Sequence, residues 1–167
     1  MTTRRNLLGL LSASAAGLAI HNAAQATPGK LDLAKVAKDT DVACAYHCDF
    51  GDPQRFSQLL QNLNNHYSAY EFDPLKVKLV VVAHAAGIKF FLNDLSGSPW
   101  EKETIDPEIY KRVQSLSKYG LEIYLCEITY KRLNLDLAKT KTDKFLHFVP
   151  SGVAALQAKG FGYLKVG

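Results

Sequence analysis

Two hydrophobic rhythms alternate along this chain. From Asp41 to Cys48 small and apolar residues follow one another almost unbroken, which predicts a β-strand. Gly51-Asp52-Pro53 then turns the chain, with Asp52 placed to cap a helix and Pro53 at its first position. Phe56, Leu59, Leu60, Leu63, Tyr67 and Tyr70 recur at helical spacing and predict one amphipathic face. Val77 to His84 is a nearly continuous β-branched run, the pattern of a central parallel strand covered on both faces.

The same alternation continues to the end. Ala86-Gly87 opens a helical pattern through Ile88, Phe91, Leu92 and Leu95, which "SGSPW" breaks. Asp106-Pro107 starts another helix, with Ile109, Val113 and Leu116 inward and Gly120 as its stop. Leu121 to Cys126 predicts a third strand, 127–135 a short helix or turn, and Lys144 to Val149 a fourth strand. Pro150-Ser151-Gly152 opens a last helix carrying Val153 and Leu156, Gly160 closes it, and Phe161 to Val166 predicts a final strand. Strands alternating with helices imply a compact three-layer α/β domain over residues 41–167. Its sheet is expected to be mostly parallel and five-stranded, with helices on both faces.

The N-terminus has a different character. Arg4 and Arg5 precede an apolar run from Leu7 to Ile20 and then Ala24-Gln25-Ala26, the layout of an export signal cleaved after Ala26. The run is short for a membrane span. The paired arginines, followed by Leu7 and Leu8, fit the twin-arginine route, with an ordinary secretory signal as the alternative. Residues 27–40 look like a polar leader without strong structure. The expected mature protein is therefore periplasmic, with no membrane segment after cleavage. Losing Arg4 and Arg5 takes the basic count from 20 to 18 against 16 acidic residues, so no basic stripe invites nucleic acid.

Export to an oxidising compartment makes the three cysteines informative, because three thiols cannot all pair within one chain. Cys44 and Cys48 lie about 13 Å apart in an extended strand at ~3.3 Å per residue. A disulfide needs Cα atoms within roughly 7 Å. Alternation puts both on one face and His47 on the other. The stretch is thus no compact metal or redox motif by itself. Cys44, mid-strand, belongs to the core, whereas Cys48, at the strand end, could face Cys126 from a neighbouring strand.

In open α/β sheets ligands bind beyond the carboxyl ends of the strands. Those ends carry His47-Cys48, His84, Cys126 and, after the fourth strand, Ser151-Gly152. Cys126 sits where strand passes to helix, so helix amides, Lys131 and Arg132 would favour a thiolate and Glu127 would oppose it. A buried structural cysteine is the alternative. His84 is a ligand, a proton donor, a thiolate partner, or simply a hydrogen-bonded strand-end histidine. His66 is expected to cap, pack or hydrogen-bond, His147 to be structural, and Tyr46 and Trp100 to pack. Ser151 and Gly152 offer backbone amides to an anion, as any helix start does.

The segments "HCDFGDPQRFSQLLQNLNNH", "KLVVVAHAAGIKFFL", "LEIYLC" and "FVPSGVAALQAKGFGYLKV" resemble the DsrE/DsrF-like family of sulfur-relay proteins over residues 41–166. The resemblance implies a compact α/β domain that assembles into trimers or hexamers. It also implies a cysteine at the position of Cys126 that accepts sulfur as a persulfide and passes it on. Glu127 after that cysteine, the added Cys44 and Cys48, and the export signal depart from the family's usual pattern.

Three functions follow. The first is an exported sulfur carrier or sulfurtransferase-like protein, with Cys126 as nucleophile, His84 orienting or polarising and Cys48 as a resolving thiol. It needs no cofactor, and its partners are sulfur donor and acceptor proteins or small sulfur compounds. The second is a copper or zinc module using Cys48, Cys126, His47 and His84, whose donor types suit those metals. The third is an oligomeric interaction protein with structural cysteines and no catalysis.

Overall fold

The computed structural model describes residues 27–167; the expected export signal lies outside the described residues. Six parallel strands form one sheet in the order β1-β5-β4-β3-β2-β6. They are β1 (Gly29–Lys30), β2 (Val42–Cys48), β3 (Val77–Ala83), β4 (Glu122–Cys126), β5 (Leu146–Val149) and β6 (Gly162–Lys165). The helices are α1 (Pro53–Ala69), α2 (Pro107–Ser117), α3 (Glu127–Arg132) and α4 (Val153–Ala158).

The α/β class and the parallel sheet match the hydrophobic pattern, with one strand more than expected. The sixth is β1, two residues paired beside His147 and Phe148 of β5. The leader is therefore structured at this point. Asp32 caps a 3₁₀ turn over Leu33–Lys35, and Val36 is buried against the smaller core. So short a strand has no periodicity to read. The pattern from Ala86 is likewise a 3₁₀ segment, Ala85–Phe91, rather than an α-helix.

The helices begin where their caps lie. The Asp52 carboxylate accepts the Arg55 N–H at 2.6 Å, and α1 buries Phe56, Leu59, Leu60, Leu63 and Tyr67. The Asp106 carboxylate accepts the Glu108 N–H at 2.9 Å, and α2 buries Ile109, Val113 and Leu116. These side chains share the larger core with Tyr46, Cys48, Val81, Ala83, Ile123 and Leu125, one face of the strands. The opposite face carries Ala43, Ala45, Val80, Val82, Tyr124 and Val149 against Leu156 of α4. Two covered faces explain why the central strands read as continuous apolar runs.

Candidate functional site

All strands being parallel, their carboxyl ends meet along one edge. The register decides what can meet there. Cys48 pairs with Ala83 and Ala83 with Leu125, so Cys126 stands one residue beyond that row. Cys48 points into the larger core with Ala83 and Leu125, and alternation directs Cys126 to the other face. β3 also lies between the two strands.

The expected meeting of Cys48 with Cys126 is thus corrected. Cys48 is fully buried, and burial pushes its thiol well above the ordinary range. It stands apart from the edge, both as a resolving thiol and as a metal donor beside Cys126. Cys44 is half-buried against the larger core, its thiol also raised by burial, and all three cysteines are free thiols.

What the edge does assemble is a histidine pair. His47, on the same face as Val82 and Tyr124, places its Nε2 in hydrogen-bond contact with Nε2 of His84, and the two rings stack at 4.6 Å. One nitrogen donates and the other accepts, so the two tautomers are complementary. His47 Nδ1 bonds the Tyr163 hydroxyl at 2.7 Å, which ties the pair to β6. Asp49 Oδ2 lies 4.0 Å from His47 Nε2 and 2.8 Å from Lys165 Nζ.

Burial is the main cause that lowers both histidine pKa values. The neighbouring His84 lowers His47 further, and Arg132 and Lys165 lower His84, while Asp49 pulls both the other way. Both imidazoles are therefore neutral at neutral pH. Burial alone would raise Asp49, but the Lys165 bond and His47 hold it below the usual carboxylate range.

His84 is held by its backbone. Its N–H donates to the Cys48 carbonyl at 3.0 Å, the next residue, Ala85, has φ +46°, and the Ala85 N–H donates to Thr129 Oγ1 at 3.1 Å. A left-handed alanine costs energy that its surroundings must offset. Here Thr129 on α3 offsets part of it and fixes α3 against the end of β3.

Cys126 occupies the N-cap position of α3, with no capping bond from its side chain, and is partly exposed. Its Sγ approaches the Pro150 carbonyl at 3.6 Å. With His47, His84, Arg132, Ser151 and Gly152 it lines a pocket of about 390 Å³. Glu127, beside it, is paired with Lys30 of β1 at 2.8 Å, so the leader supplies a counter-charge next to the thiol.

Of the residues singled out in the sequence, the structure brings His47, His84 and Cys126 together and excludes Cys48. His66 accepts or donates a 3.0 Å bond with the Tyr46 hydroxyl, as its packing role required, and Trp100 is buried. Asp49, Tyr163, Lys165 and Thr129 were not anticipated. Their roles depend on β6 lying beside β2 and on α3 reaching the His84 turn, and no local motif encodes either.

A family model for DsrE/DsrF-like proteins matches residues 22–164. The chain belongs to the DsrE/DsrF-like family. Among solved structures, this DsrE/DsrF-like chain is similar to a protein of unknown function from Methanobacterium thermoautotrophicum. The two share 22% identity with a TM-score of 0.57, over 75% of this chain and 99% of that one. That likeness concerns the fold. No curated protein matches the chain. Among the described residues, no helix is long and apolar enough to cross a membrane.

Proposed function

We propose that this DsrE/DsrF-like protein is an exported, periplasmic sulfur carrier or sulfurtransferase-like protein that holds sulfur as a persulfide on Cys126. The observation that carries the reading is the placement of Cys126. It is a partly exposed free thiol at the carboxyl end of β4, opening into the pocket lined by His47, His84 and Arg132. Family membership supports sulfur relay as the type of chemistry.

The Cys126 thiolate attacks the terminal sulfur of a persulfide donor, R–S–SH. A new S–S bond forms to Cys126, the donor's S–S bond breaks, and RS⁻ leaves with the bonding electrons. The terminal sulfur, with its proton, now sits on Cys126, and no external oxidant or reductant is consumed. The same exchange run toward an acceptor thiolate delivers the sulfur. His84, neutral and fixed by the Cys48 carbonyl and the strained Ala85 turn, orients or polarises the incoming sulfur. Donor and acceptor are sulfur-handling proteins or small sulfur compounds.

The protein works as a homo-oligomer, a trimer or hexamer. Tyr163 and Leu164 on the outermost strand β6 and Ile128 beside the pocket are exposed apolar surface that an assembly would cover. The sulfur reading is tested by intact-mass measurement of the reduced protein after incubation with a persulfide donor. Gain of one sulfur atom, abolished in Cys126→Ser and retained in Cys44→Ser, is the expected result. An unmodified wild-type protein with an accessible Cys126 contradicts it.

A further inference from the structure

The pocket beside Cys126 has a second feature, in which sulfur transfer uses only His84. His47 Nε2, His84 Nε2 and a carboxylate oxygen of Asp49 converge, with one donor atom from each residue lying within 4.8 Å of the others. We propose that His47, His84 and Asp49 form a binding site for a divalent first-row cation of the zinc class, adjoining the Cys126 pocket.

The donor chemistry fits. Two neutral imidazoles and a carboxylate are borderline-to-hard donors that suit zinc, and three protein donors leave a tetrahedral ion one open position. Zinc–ligand bonds of about 2.0–2.1 Å place tetrahedral donors about 3.3 Å apart. Asp49 Oδ2 and His47 Nε2, at 4.0 Å, need to close by less than an ångström, and the two imidazole nitrogens, in hydrogen-bond contact with each other, need to part. Cys126 lines the same pocket as the two histidines, so the open position adjoins the cavity in which its sulfur lies.

The surrounding contacts are those a ligand set requires. The Tyr163 hydroxyl bonds the second nitrogen of His47 at 2.7 Å, which fixes the ring, and both Nε2 lone pairs face the ion once the proton shared between the two Nε2 atoms moves to an Nδ1. The Cys48 carbonyl and Thr129 fix the backbone on either side of the His84 Cα. Lys165 opposes the cation, because it holds the same Asp49 oxygen at 2.8 Å. A carboxylate has about four lone-pair sites on two oxygens, so Asp49 can serve both, with Lys165 lowering affinity. Asp49 supplies the negative charge that offsets Arg132 and Lys165 nearby.

The proposal rests on none of the sulfur chemistry, and one experiment separates the two. Untagged, reduced protein is titrated with Zn²⁺ against a chromophoric chelator. One Zn²⁺ per chain is expected to bind, at least tenfold more weakly in His47→Gln and His84→Gln, and more weakly in Asp49→Asn and Tyr163→Phe. Lys165→Met should bind more tightly. Cys126→Ser should retain binding while losing persulfide formation. Should a variant fail to fold, histidine-ring NMR of the wild type decides, with Zn²⁺ shifting the nitrogens of His47 and His84 and leaving those of His66 and His147 in place. Wild-type affinity no greater than that of the histidine variants overturns the site. So do loss of binding in Cys126→Ser alone and ring shifts confined to His66 or His147.

Discussion

At the scale of single residues, burial sorts the five-residue stretch from Cys44 to Cys48 into different fates. Cys48 is sealed in the larger core, Cys44 is half-covered, and His47, between them on the other face, reaches the pocket at the carboxyl edge of the sheet. His66 illustrates what burial does to a titratable group away from that edge. Its pKa is lowered from 6.5 by burial, and its Nδ1 bonds the Tyr46 hydroxyl. The folded protein thus holds His66 neutral, whereas the unfolded chain takes up a proton near pH 6.5. The stability linked to His66 is present above that pH and is lost as pH falls from 6.5 toward the lower folded pKa. Thermal unfolding of wild type and His66→Gln between pH 8 and pH 5 is expected to show a smaller decline in the variant. Parallel declines would refute this assignment.

At the scale of elements, most of the fold was legible because each strand and helix carries its own period. The β-branched run of β3 and the capped, amphipathic α1 and α2 stand where Val77–His84, Phe56–Tyr70 and Asp106–Gly120 predicted them. The alternation that separates His47 from Cys48 was equally legible. The spatial order of strands was not, since β3 lies between β2 and β4, and the register sets Cys126 on the opposite face from Cys48. Nor was the junction of the Ala85–Phe91 segment with β2. A Cβ on Gly87 would stand 2.8 Å from Cys48 Sγ and closer still to the Cys48 carbonyl oxygen, so only glycine lets this segment pass the end of β2. Gly87→Ala is expected to destabilise the protein by about 1–3 kcal/mol, the usual range for overpacking. Gly29→Ala, where nothing lies within 4 Å, should change stability by less than about 0.5 kcal/mol. Chemical denaturation of both checks the contrast, and equal stabilities would contradict the close packing.

At the scale of the whole molecule, the parallel sheet collects one end of every strand along a single edge, and the family's sulfur chemistry is assigned to that edge. Both sheet margins reach the candidate site. β1 brings Lys30 to Glu127 beside the thiol, and β6 brings Tyr163 and Lys165 to the histidine pair. The exposed Leu164 and Ile128 belong to the same scale. Light scattering is expected to give a mass of three or six chains, reduced by Ile128→Lys or Leu164→Lys; a monomeric wild type would contradict assembly. The central claim, that Cys126 carries the sulfur, is tested most directly by peptide mapping after persulfide loading and alkylation under native conditions. The account predicts the extra sulfur on the peptide containing Cys126 and none on those containing Cys44 or Cys48. Sulfur on Cys44 or Cys48 with Cys126 unmodified would contradict it.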